Sequence, residues 1–229
     1  MSAQQNHASV PLQPIPIWDL PVRLFHWSLV VLLVISWTTA EIGGNAMTYH
    51  LWSGYTILTL ILFRLLWGFW GSTHARFNDF VRGPGAAIGY ARALLQGETP
   101  LYPGHNPLGG WMVILLLLVL LVQVGTGLFA NDDIAIEGPL YPWVSKASSD
   151  FLTRIHKLNF DILLILISLH VLAILFYLVA KRENLIVPML TGRKWFEPGF
   201  QESQAPFARL WLAGALLALA AAGVYLLVR

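Results

Sequence analysis

Five long apolar runs, at about 22–40, 50–71, 108–129, 156–180 and 210–228, alternate with polar connections rich in Gly and Pro. A helix crosses a hydrocarbon core about 30 Å thick with about 20 residues, and each run is about that long. The pattern predicts an all-α integral membrane protein folded as one bundle. Start and stop signals mark the helices. In WDLPVRLFHW, Asp19 suits an N-cap and Pro21 the first turn. Between the second and third runs, GPGAAIGYARALLQG predicts a short helix, with Pro84 in its first turn and Gly97 at its C′ position. Arg82 and Arg92 beside Ile88, Leu94 and Leu95 place that helix on the inner membrane surface. The fifth run is rich in small residues and carries no ligand type, which predicts packing on the outside of the other four.

Ionisable positions inside the apolar runs carry the chemistry, because such groups are costly in lipid unless they have a task. His156 and His170 share the fourth run, fourteen residues apart. Fourteen residues fall about 40° short of four helical turns and rise roughly 21 Å, so both imidazoles leave one face near opposite membrane surfaces. His50 opens the second run from the outer side, level with His156. His26 lies one turn inside the first run, toward the inner side like His170. Depth therefore pairs His50 with His156 and His26 with His170. Two bis-imidazole sites, one above the other, suit haem iron held between facing helices. Zinc would want three or four ligands close together. Arg64 follows His50 by fourteen residues and shares its face near the inner surface, where it either snorkels or meets an anion such as a haem propionate. Gly54, one turn from His50, leaves room for a flat ligand. Lys157 adjoins His156 and is a candidate cofactor contact. Asp161 could orient an imidazole or pair with Lys157.

Other features are expected to be structural. The third run has no charge and no histidine, so it reads as a wall, with Gly125 and Gly127 marking close packing against a helix or a cofactor. His74 and His105 lie in the 72–107 loop and are expected to be solvated. One depth mismatch remains: His26 is three residues from Arg23, but His170 is eleven from Lys181. Either the fourth helix projects beyond the membrane or the first begins before Val22.

Composition narrows the cofactor. The chain has 229 residues, 56% hydrophobic and 11% charged, with mean hydropathy +0.63 and no cysteine. Without cysteine there is no disulfide, no cysteine-ligated iron–sulfur cluster, no thiolate ligand and no covalent c-type haem, so any haem is non-covalent. Lys and Arg set the orientation. Ten lie on the side of the N-terminus and the 72–107 and 181–209 loops, and four on the other, which predicts a cytoplasmic N-terminus. The first 17 residues carry no Lys or Arg, so the first span reads as an uncleaved anchor. The 130–155 loop then lies outside, with a net charge of −2 that could steer a basic partner.

WDLPVRLFHW, the YHLWSGY start with FRLLWGFWGS, GHNPLGGWM and the H-x13-H of the fourth run together resemble the prokaryotic cytochrome b561 family over about residues 17–196. That family includes the b-type cytochrome subunits of nickel–iron hydrogenases. The resemblance implies a four-helix transmembrane bundle holding two b haems, His26 and His170 on the inner iron and His50 and His156 on the outer; the polar N-terminus and the fifth, C-terminal transmembrane helix lie outside that common core. It also implies electron exchange with quinone. Residues 1–17 are then a polar tail, 18–196 the di-haem domain and 197–229 a linker with the fifth helix. The leading expectation is a multi-pass protein of the bacterial cytoplasmic membrane. It would carry electrons between the quinone pool and a periplasmic partner, either a c-type cytochrome or a dehydrogenase or hydrogenase subunit. The rivals are a self-contained oxidoreductase acting on superoxide or ferric iron, and a b-type anchor subunit of a hydrogenase-like complex. Nucleic acid is not an expected partner, and homo-oligomerisation is left open.

Overall fold

The structure, a computed structural model, describes residues 12–98, 100–134, 136–197 and 205–229. Among the described residues, five helices are long and apolar enough to cross a membrane: α1 (Leu20–Ile42), α2 (Met47–Trp70), α5 (Pro107–Gly127), α6 (Lys146–Val179) and α8 (Leu210–Val228). Shorter helices α3 (Phe77–Phe80) and α4 (Pro84–Leu95) connect α2 to α5, and α7 (Ile186–Thr191) follows α6. Asp19 caps α1, its carboxylate accepting the Val22 N–H at 2.7 Å, and Asn106 caps α5 through the Gly109 N–H at 2.8 Å. Gly97 takes the left-handed φ of +88° that stops α4.

α2 is the most buried span and the hub of the bundle. It packs on α1, α5 and α8, while α6 packs on α5. In lipid such packing rests on van der Waals contact and hydrogen bonds rather than transfer from water. Two apolar clusters result. One, at the end where α1 begins, joins Val22, Phe25, Phe63, Trp67 and Leu117. The other, toward the opposite end, joins Ile57, Ile61, Leu120, Val124 and Leu163. These are the near and far ends below. Neither α1 nor α2 packs closely on α6, so the helices bearing the paired histidines stand apart. α8 lies outside, against α2, as its small residues predict.

Three features depart from the expectations. α6 begins at Lys146, ten residues before His156, and its 34 residues span roughly 51 Å, more than the hydrocarbon thickness. Its first turns are polar, and hydropathy marks only the part that sits in lipid; Ser145 caps the true start. α1 starts at Leu20, two residues before Val22, which is one of the two routes that ease the depth mismatch, and α6 runs nine residues past His170. Second, β1 (Gln13–Pro16) pairs antiparallel with β2 (Arg193–Phe196), so the second half of the tail is tied to the chain after α7. Third, Gly125 has open space where a Cβ would stand, so it packs closely against no other helix.

Candidate metal centres

At the far end, α2 and α6 bring the His50 and His156 rings to a centroid distance of 6.2 Å. His50 Nδ1–H donates to the Ser36 carbonyl at 2.9 Å, and His156 Nδ1–H to the Gln123 carbonyl at 2.8 Å. Fixing Nδ1–H on a carbonyl leaves Nε2 as the nitrogen that could ligate a metal, the usual arrangement behind a metal-bound imidazole. At the near end, α1 and α6 bring His26 and His170 to 6.5 Å. His26 Nδ1 is buried without a partner. An imidazole nitrogen sits about 2 Å from a first-row metal and the ring centre about 1.2 Å behind it, so two rings that held one metal between them would have centroids about 6.4 Å apart. Both pairs have that spacing, on helices that do not otherwise close on each other. The residues fit haem iron. Among the described residues no three His, Cys, Asp or Glu gather as they would for a zinc centre.

The far pair faces a cavity of about 630 Å³, in the range of cofactor pockets. Ser36, His50, Gly54, Gln123, His156 and Lys157 are among its lining residues. Gly54 presents open space, as a flat ligand requires. Lys157 is exposed at the rim, shared with a second cavity formed by the 131–154 region, and Asp161 lines the first cavity without an ion pair to it.

The α5 wall does more than sequence reading assigns it. Gln123 supplies the carbonyl for His156, and its side-chain amide nitrogen lies against the ring, 3.3 Å from Nδ1 and 3.2 Å from Nε2. Asn159 orients that amide, donating to its Oε1 at 2.7 Å. Gly127 is small because His156 is there: an added Cβ would stand 2.9 Å from the imidazole Cε1. Residue type alone could not single out Gln123, since a glutamine in a span is as often a helix-packing contact.

Sequence reading also fails on the loop histidines. His74 is 4% exposed and bonded to Asp79 at 3.0 Å, rather than solvated. The His105 ring sits between Trp18 and Phe80, with its Nδ1 buried and unpartnered. Burial first, and then the Arg64 charge, push its pKa down to about 3. Arg64 does not snorkel. It is 3% exposed, with its guanidinium over the Phe77 and Phe80 rings.

Fold and facing histidines define a membrane helix bundle built to hold porphyrin iron. Residues 17–192 match the family described as prokaryotic cytochrome b561, and the chain belongs to that family. It is a multi-pass membrane b-type cytochrome, and b-type means haem b. Its relatives include a protein named "Probable Ni/Fe-hydrogenase B-type cytochrome subunit" from Rhizobium leguminosarum bv. viciae, 23% identical over 82% of this chain and 92% of the relative. A protein of the same name from Bradyrhizobium diazoefficiens is 24% identical over 79% and 85%. No solved structure matches the chain.

Proposed function

We propose that the chain holds two b haems in series and carries electrons across the cytoplasmic membrane. His26 and His170 would hold the near haem, and His50 and His156 the far one. The observation that carries this reading is the pair of imidazole couples, 6.5 and 6.2 Å between centroids, on helices held apart at two depths. Bound haem supplies one-electron exchange between ferric and ferrous iron. The chain's own groups do the rest. The Ser36 and Gln123 carbonyls hold the far imidazoles in the tautomer that offers Nε2. The apolar walls exclude water, and Lys157 at the rim would offer a cation to an acidic group of the cofactor.

The excess of Lys and Arg at the near end supports a cytoplasmic N-terminus, which puts the far site at the periplasmic face. The relatives' names support a hydrogenase as the outer redox partner, making the chain that partner's b-type subunit. The family resemblance supports quinone as the other partner. Pyridine haemochrome assay of the purified chain tests the cofactor count, with two haems per chain expected and one or none refuting it. Quinone reduction by membranes containing the chain and a hydrogenase, lost in His50→Ala, tests the route. Quinone reduction by the purified chain alone with superoxide would favour a self-contained oxidoreductase instead.

A further inference from the structure

The near end contains a buried cation with no counter-ion. Arg64, on α2, is 3% exposed, and its Nη1 is buried without a hydrogen bond. Among the described residues no carboxylate comes within ion-pair distance of it. Asp19 is the carboxylate whose charge it feels, but Asp19 already accepts the Val22 N–H at 2.7 Å and the Trp67 Nε1–H at 2.9 Å. A guanidinium sealed among aromatic rings without an anion is unfavourable, since its lost hydration is not replaced. A second unanswered group lies beside it. His105, in the loop before α5, packs its ring on Phe80 at 4.7 Å between centroids, and Arg64 lies over the same ring at 5.9 Å. His105 Nδ1 is buried and unpartnered. His105 is also within electrostatic reach of His170. Two polar groups from separate elements thus converge on one phenyl ring within electrostatic reach of His170, each with a buried nitrogen that has no hydrogen-bond partner.

We propose that Arg64 and His105 form a carboxylate seat that receives a propionate of the near haem. The chemistry follows from the donors. A carboxylate offers two oxygens, one to a guanidinium N–H and one to an imidazole N–H, and guanidinium–carboxylate bonds are among the strongest hydrogen bonds in proteins. Trp18 and Phe80 keep water from the seat. The seat fixes the direction in which the near haem's acidic edge points and places a cation where it favours the ferrous state. This inference rests on the two-haem reading.

The test is a chemical double-mutant cycle on the full chain. Haem-free protein is reconstituted with haem b or with its dimethyl ester, and the potentials of both haems are read by redox titration. In wild type, esterification leaves Arg64 unneutralised, and the near haem should become easier to reduce by about tenfold, which is 59 mV for one electron. In Arg64→Leu a buried propionate without its cation takes up a proton, so the ester should add little. His105→Leu should shrink the ester effect at least by half, and Arg64→Lys should keep most of it. An ester effect of equal size in wild type and both Leu variants overturns the proposal. So does an ester effect confined to the far haem, or an Arg64→Leu effect that tracks the phosphate content of the surrounding lipid. Haem content is read in the same samples. Fewer than two haems in wild type refutes the two-haem reading, whereas two haems with uncoupled ester effects refutes the seat alone.

Discussion

Gly127 ends α5 against the His156 imidazole, and adding one methyl group there should disturb the far site and nothing else. The alanine Cβ would stand 2.9 Å from Cε1 and 3.2 Å from Nδ1 of that ring. Ordinary contact begins near 3.4 Å, so the ring must give by about half an ångström. It cannot do so freely. Its Nδ1–H is held by the Gln123 carbonyl at 2.8 Å, and metal–ligand distances tolerate only about 0.2 Å. Overpacking of this kind costs about 1–3 kcal/mol. At about 1.4 kcal/mol per factor of ten, Gly127→Ala should weaken retention of the far haem roughly 5- to 150-fold. The assay is transfer of haem to an excess of an acceptor apoprotein, with each haem followed by its own potential. Gly125→Ala is the control two residues away, with nothing within 4 Å of the new methyl. Equal haem retention in both variants, or loss of the near haem in Gly127→Ala, would refute the argument.

Three further outcomes follow from local geometry. Asp19→Ala removes both the α1 cap and the acceptor for the buried Trp67 N–H, and should lower bundle stability by about 2 kcal/mol or more, read as a thermal shift in detergent, while Asp19→Asn keeps part of it. Gly192→Ala forces a side chain into φ +83° with its Cβ 2.7 Å from the Trp18 carbonyl, so tryptic cleavage at Arg193 and Lys194 should quicken several-fold. In the haem-free protein the His105 pKa lies at about 3, below the unfolded value near 6.5, so the unfolded state binds the extra proton. Stability should therefore fall as pH drops from about 6.5 towards 3, and His105→Phe should remove that part of the slope in pH-dependent unfolding.

The spans and the facing imidazoles were legible because both depend on short-range periodicity. The run that holds His156 and His170 sets their face and depth by helix geometry alone, and chain alternation sets their neighbours. What stayed hidden depends on contacts between distant segments. Gln13–Pro16 carries no strand signal of its own and becomes a strand only by pairing with Arg193–Phe196. His105 looks like a loop histidine until Trp18 and Phe80 close over it. Gly125 and Gly127 are two residues apart in one motif, yet only the second meets a ring, because α5 turns the first away from α6. The start of α6 was missed because hydropathy reports lipid contact, and the turn at Lys146–Asp150 lies beyond it, where Lys146 pairs with Asp133 and Asp150.

The pairing of histidines is the central claim, and four single substitutions test it directly. His26→Ala, His50→Ala, His156→Ala and His170→Ala are each purified, and the haems that remain are resolved by redox titration and paramagnetic resonance. His50→Ala and His156→Ala should each lose the same haem and keep the other, while His26→Ala and His170→Ala should do the converse. The rings proposed to share an iron lie 6.2 and 6.5 Å apart, whereas His156 and His170 are separated by roughly 21 Å of helix. Loss of one and the same haem in His26→Ala and His156→Ala would contradict the account.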